Sequence, residues 1–154
     1  MSLLLIFTGV MLYLFSLTLM AQEFGERITL TKSYQEDLYT AADTIMSTSV
    51  IEGDLVAAGG TLIIDGTITG DALLAGGDQT ITADINDDLR AMGDSLVVNS
   101  KIGGDAILGG GQIILSQNSE VGGNAWIGGG DVTVAAHINR ELRVGGGNVL
   151  LSGH

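Results

Sequence analysis

Apolar residues in the first part of the chain form one continuous run, whereas those in the rest recur in short alternating bursts. From Leu3 to Met20 the chain carries no charged side chain, and polarity returns abruptly after Ala21. Such a run is typical of a secretory signal that is cleaved after Ala21, and about eighteen residues also suffice to cross a bilayer. We therefore expect residues 1–21 to be a signal peptide or a membrane-anchoring helix.

The sequence beyond this segment repeats itself. Similar units begin at the apolar residues Ile51, Ile68, Ile85, Ile102, Val121 and Ile138. Successive starts lie 17 apart in the sequence, except that Val121 lies 19 after Ile102. A more divergent unit begins one period before Ile51, at Tyr34, so that seven units fill residues 34–154. Because self-similarity at a fixed period is the sequence signature of stacked repeats, we expect one repeat domain over residues 34–154, preceded by a cap segment over 22–33.

The apolar positions inside each unit predict strands. Unit positions 1, 5, 7, 12 and 14 are apolar throughout, with the exceptions of Thr40, Ser47 and Gln79. Positions 5 and 7, and again 12 and 14, are two residues apart, which is the spacing of side chains on one face of a strand. Two or three short strands in each unit make one turn of a β-solenoid, where only stacking buries the apolar rows. We predict an all-β parallel β-helix of about seven coils, with the two extra residues around Gln117–Glu120 bulging from a corner.

Glycine recurs at unit position 9, between the two predicted strands of each unit. A residue without a Cβ tolerates positive φ, so we expect a sharp corner there. This glycine corner comprises Gly59, Gly76, Gly93, Gly110, Gly129 and Gly146, with Ala42 in the first unit.

Unit position 4 carries a row of polar side chains, here called the turn ladder. Its members are Asp37, Asp54, Asp71, Asp88, Asp105, Asn124 and Glu141. Stacked coils lie about 4.8 Å apart, so these groups would form either a row of sites for a hard cation such as Ca²⁺ or a set of corner hydrogen bonds to backbone N–H groups. Asn124 favours the corner role, because an amide serves a corner as well as a carboxylate does but binds calcium less well. We predict a structural ladder and no metal site.

The order of these positions resembles the bactofilin family of polymer-forming bacterial cytoskeletal proteins. The resemblance rests on the dipeptides Gly53-Asp54, Gly70-Asp71 and Gly104-Asp105, on the Gly59-Gly60 type of pair, and on the apolar positions around them. It covers roughly residues 34–154 and implies a right-handed β-helix with a structural role. A left-handed helix of the acyltransferase type would instead need an aliphatic residue at every sixth position, and that period is absent. Bactofilins are usually cytoplasmic, whereas this chain opens with an export-like segment.

Composition and charge exclude several classes of function. The 154 residues include 24 glycines and no proline or cysteine, and the formal net charge is −12. A surface so acidic repels phosphate, so nucleic acid is not expected as a partner. His137 and His154 share unit position 17, but no third ligand is in register with them, so we expect exposed corner residues. No nucleophile and base stand together, and we predict neither an enzyme nor a cofactor.

Two surfaces remain as candidates for function. The last unit keeps Val144, Val149 and Leu151 at inward positions, so its end is expected to self-associate; Ile28–Thr31 is expected to cap the other end. Unit position 6, which includes Arg90, Trp126 and Arg143, is expected to point outward as a partly apolar face that suits the membrane or a cell-envelope component. The predicted function is a self-assembling scaffold, exported or attached to the membrane; the alternative is an exported envelope-binding module or adhesin.

Overall fold

The structure, a computed structural model, describes residues 21–153, with side chains from Phe24 onward. All of its regular elements are β-strands. In chain order they are β1 (Ala21–Leu30), β2 (Leu38–Ser47), β3 (Val50–Ile51), β4 (Leu55–Ile64), β5 (Thr67–Ile68), β6 (Ala72–Ile81), β7 (Asp84–Ile85), β8 (Leu89–Val98), β9 (Lys101–Ile102), β10 (Ala106–Leu115), β11 (Glu120–Val121), β12 (Ala125–Val134), β13 (His137–Ile138) and β14 (Leu142–Leu151). The predicted signal or anchor lies outside the described residues, apart from Ala21.

The strands form two parallel sheets that follow the repeat. Eight ten-residue strands make one sheet in the order β1-β2-β4-β6-β8-β10-β12-β14, and six two-residue strands make the other in the order β13-β11-β9-β7-β5-β3. Paired residues lie 17 apart, as in Leu55↔Ala72, or 19 apart across the insertion, as in Ala106↔Ala125. The fold is therefore the predicted parallel β-solenoid, in which each of the six long strands from β2 to β12 is followed by one short strand.

Each long strand turns a corner near its middle. In β2, β4, β6, β8, β10 and β12 the first, third, eighth and tenth residues are buried, so the inward side of the alternation changes between the third and the eighth. The pairing between neighbouring long strands is interrupted at the same place. In β4 and β6, Gly59 pairs with Gly76 and Thr61 pairs with Asp78, but the residues between them are not paired. With the short strand as a third side, each coil encloses a narrow core of aliphatic side chains.

The predicted inward positions are correct through the interior of the stack. Leu55, Leu62, Ile64 and Ile81 are fully buried, and so are the equivalent residues of the neighbouring coils. The polar exceptions also point inward, with Thr40, Ser47 and Gln79 exposed by 4% or less. Gln79 meets part of its hydrogen-bonding need because its Nε2 donates to the carbonyl oxygen of Met92 at 2.7 Å.

The stack is one coil longer than the seven predicted, because β1 continues the long sheet. Its Ile28 and Leu30 pair with Ile45 and Ser47, one period later in the chain, and both are buried. The segment Ile28–Thr31 thus contributes a parallel strand in the register of the repeat. The sequence obscured this coil because the inward position occupied by Thr40 in the next coil corresponds to the charged Glu23.

The core makes the first testable prediction. Ile81→Asp should lower the free energy of unfolding by about 4 kcal/mol or more, because it places an unpaired charge at a fully buried position. Thr80→Asp is the matched control: Thr80 is the preceding residue of β6 and is exposed, so its change should cost less than about 1 kcal/mol. Urea unfolding of both variants measures the difference, and equal losses would contradict the in/out register.

Candidate functional site

The turn ladder is a continuous row of side-chain to backbone hydrogen bonds between successive coils. The backbone N–H of Asp54 donates to Asp37 Oδ1 at 2.9 Å, and that of Asp71 donates to Asp54 Oδ1 at 2.8 Å. The same bond recurs at Asp88, Asp105, Asn124 and Glu141, with lengths from 2.6 to 3.3 Å. Each ladder side chain before Glu141 therefore accepts from the corner N–H of the following coil, whether it is a carboxylate or, at Asn124, an amide.

The Gly-Asp dipeptides have a direct steric explanation in this geometry. A Cβ placed on Gly53, Gly70, Gly104 or Gly123 would collide with Oδ1 of the ladder aspartate in the preceding coil. The glycine of one coil thus makes room for the aspartate of the coil before it. Where another residue takes the place of that glycine the ladder bond is longer, at 3.0 Å beside Asp87 and 3.3 Å beside Arg140.

The second oxygen of two ladder carboxylates, Asp71 and Asp88, contacts one arginine. Arg90 places Nη1 3.1 Å from Asp71 Oδ2 and Nη2 2.8 Å from Asp88 Oδ2, so one guanidinium bridges two successive coils. The hydrogen bond to Asp71 raises the pKa of Arg90 above its ordinary value. Within residues 21–153 no group of three or more acidic, histidine or cysteine side chains is arranged to hold a metal ion.

The glycine corner lies at the bend of the long strands, but without the positive φ that was expected. Gly66 alone has positive φ among the described residues, at 105°, and it lies at a different corner. Glycine is needed at unit position 9 because the backbones of successive coils approach closely there. A Cβ at this position would lie 2.8 Å or less from the carbonyl oxygen of the equivalent residue one coil earlier. Gly129 over Gly110 is one such contact, at 2.8 Å. Packing of coil on coil therefore selects glycine at this bend.

The predicted assembly end is exposed. In β14, Val144 is half-buried, while Val149 and Leu151 are exposed by 42% and 53%. A hollow of about 180 Å³ opens at this end, with Val134, Ile138, Leu142 and Leu151 in its lining and Arg140 beside them. The inward row that is buried in every interior coil is therefore open to solvent in the last described one.

The two predicted outer features lie on the outer side of the solenoid. His137 is exposed, and its partner in the neighbouring strand of the short sheet is Glu120. His154 lies outside the described residues. Unit position 6 points outward: Arg143 is exposed and contacts Glu141 at 2.8 Å, and Trp126 is half-buried. Among residues 21–153 no helix is long and apolar enough to cross a membrane.

A row of small buried residues at the last corner of each coil was not predicted. Ser100 and Ser119 lie there, next to Ala83 and Ala136 in the flanking coils. Ser119 Oγ donates to the carbonyl oxygen of Val98 at 2.9 Å, and Ser100 Oγ donates to that of Ala83. Alignment of the units after removal of the two inserted residues would have placed Ser119 in this row.

We compared the chain with models of protein families, with curated proteins and with solved structures, and no match was found. The function must therefore be inferred from the residues and the geometry described above.

The hydrogen bonds of the turn ladder predict that two substitutions of Asp54 will differ in their effect on the free energy of unfolding. Asp54→Ala should lower the free energy of unfolding by about 1–3 kcal/mol, because the N–H of Asp71 loses its acceptor. Asp54→Asn keeps an oxygen in place, as Asn124 does, and should remain within about 1 kcal/mol of the parent protein. Urea unfolding compares the two variants, and equal destabilisation would show that charge, and not the corner bond, is what matters at Asp54.

The glycine corner makes a prediction at two adjacent residues of β12. Gly129→Ala should destabilise the fold by about 1–3 kcal/mol, because its Cβ would press on the carbonyl oxygen of Gly110. Gly128→Ala adds a Cβ that meets nothing within 4 Å and should change stability by less than about 1 kcal/mol in either direction. Thermal unfolding measures both variants, and tolerance of alanine at Gly129 would overturn the close-approach explanation.

Proposed function

We propose that this chain is a non-catalytic structural scaffold that assembles end to end through its β-helix, in the manner implied by its resemblance to bactofilins. The observation that carries the proposal is the open inward row at Val149 and Leu151. The equivalent residues two coils earlier, Ile113 and Leu115, are fully buried. A second copy stacked on the last coil would bury this row just as a further coil would.

The geometry of the two ends supports a head-to-head pair. Ile28 and Leu30 of β1 are buried, whereas Val149 and Leu151 of β14 are exposed. When one end of a molecule carries the open surface, two copies meet through the same patch on both, which is the isologous arrangement of a two-fold dimer. A filament would need a second open end at the N-terminal coil.

The hand of the solenoid and its location belong to the same proposal. From β2 to β12 each long strand is followed by a short strand and then by the next parallel long strand, and parallel crossovers of this kind are right-handed in nearly all proteins. The apolar run Leu3–Met20 supports export or attachment to the membrane. Because β1 and β14 are seven strand spacings apart, about 34 Å, an anchor before β1 would leave the open end free to assemble.

A second candidate is an exported module that binds a component of the cell envelope. It is favoured by the apolar side chains on the outer side of the long sheet, where Leu73 and Ile107 are exposed by 50% and 43%. A binding module would use this side of the solenoid, whereas a scaffold would use the end, so the two functions can be separated by substitution.

Lysine at the open end tests the scaffold. Val149→Lys with Leu151→Lys should make the full-length chain sediment as a monomer, because burial of two ammonium groups between stacked ends is unfavourable. Asn148→Lys with Leu150→Lys is the matched control on the same strand, since these residues occupy the outward positions between the inward ones, and it should leave association intact. Sedimentation velocity measures the assembly state, and a monomeric parent chain would overturn the proposal.

A further inference from the structure

The outer side of the long sheet, beside the turn ladder, is an apolar surface with few charges. We call it the ladder face and define it by Tyr39, Val56, Leu73, Ile107 and Trp126, which occupy the second position of their long strands. The fourth position is small along most of the face, as at Ala58 and Ala75. The face is therefore low and open, and it is bordered along one side by the turn ladder, in which Asp37 and Asp54 are half-buried.

Arg90 shows that two aspartates of the turn ladder can bind one guanidinium group. Its guanidinium rises from the ladder face and contacts Oδ2 of both Asp71 and Asp88, while Oδ1 of each carboxylate accepts a backbone N–H. Two successive ladder aspartates thus hold one guanidinium without giving up the bonds that maintain the corner. Hydrogen bonds between charged partners of this kind are the stronger ones in proteins.

A similar pair of carboxylates exists two coils earlier, without an arginine beside it. Asp37 and Asp54 are successive ladder residues, and the residue equivalent to Arg90 in the coil of Asp54 is Val56. The three ion pairs of residues 21–153 involve only Arg90 and Arg143, so no described cation contacts Asp37 or Asp54. Tyr39, Val56 and the exposed Leu73 lie next to this pair on the ladder face.

We propose that the ladder face at Asp37 and Asp54 binds a short, extended basic segment of a partner protein. An arginine of the partner bridges the second oxygens of the two carboxylates as Arg90 bridges Asp71 and Asp88, and apolar side chains on either side of it cover Val56 and Leu73. This inference does not depend on the assembly of the open end.

The charge of the chain favours a basic protein over the other possible occupants. Phosphate-bearing surfaces, such as anionic lipid or nucleic acid, are repelled by a chain of net charge −12. A second copy would bring the same excess of acidic side chains, since the sequence holds 18 Asp and Glu against 6 Lys and Arg. A segment that carries arginine between aliphatic residues matches both the carboxylates and the apolar surface.

The test uses the full-length chain and the end-blocked peptide acetyl-Arg-Val-Arg-Val-Arg-Val-amide as the probe, with the Kd measured by calorimetry at physiological ionic strength. The double change Asp37→Asn with Asp54→Asn should weaken binding about tenfold or more, because it removes both carboxylate charges. The ladder bonds persist, since asparagine already accepts such a bond at Asn124. The lysine analogue of the peptide should also bind more weakly, because an ammonium group lacks the fork that spans two carboxylates.

A charge-matched control separates this site from general attraction to an acidic protein. Asp78→Asn with Asp94→Asn removes the same net charge from exposed residues away from the ladder and should change the Kd by about twofold or less. Val56→Arg supplies the missing arginine within the chain and should block the peptide while the fold is retained. Equal weakening in both double variants, an unaffected Val56→Arg variant or an absence of peptide binding would overturn the proposal. A changed sedimentation coefficient in the unliganded Asp37→Asn with Asp54→Asn variant would do so too, by assigning the face to a second copy.

Discussion

The structure depends on the burial of each coil's aliphatic row by the coils on either side of it. A single coil has no interior of its own, because its inward side chains lie in one narrow layer. Stacking eight such layers in constant register brings Leu55, Leu62 and Ile64 into contact with equivalent residues above and below, and leaves them fully buried. The same stacking pairs the long strands in parallel, so the apolar core and the backbone hydrogen bonds form together.

The corners are where this arrangement is hardest to satisfy. Strand pairing lapses at a corner, and a backbone N–H left there without an acceptor would be unfavourable. The turn ladder solves this by giving the N–H of Asp71 the side chain of Asp54, with Gly70 making room for that side chain. Glycine and aspartate at adjacent positions are therefore parts of one device that spans two coils.

The sequence predicted the architecture because its inward positions are aliphatic at a fixed period and two residues apart. That signal was strong enough to place even the polar Gln79 inside the core, where it is buried. It failed at β1, since Glu23 interrupts the aliphatic pattern and only Ile28 and Leu30 retain it. It also gave the wrong reason for the glycine corner: φ preference is a property of one residue, whereas the contact between Gly129 and the carbonyl oxygen of Gly110 exists only after coils stack. The sequence placed the turn ladder on one column, but only the coordinates show how Arg90 is shared between Asp71 and Asp88.

The ends and the sides of a solenoid are governed by different residues, and this separates the two surfaces proposed here. At this end the exposed residues occupy inward positions of the repeat, so Val149 and Leu151 are apolar as Ile113 and Leu115 are. At the sides the residues point outward and contribute little to the core, so Val56 and Arg90 can occupy equivalent places in different coils. The end therefore keeps the apolar pattern of the other coils, while the ladder face differs from coil to coil. A surface that varies along a regular frame is the one that can discriminate between partners, and in this chain Arg90 occupies a place that is apolar at Val56, beside Asp37 and Asp54.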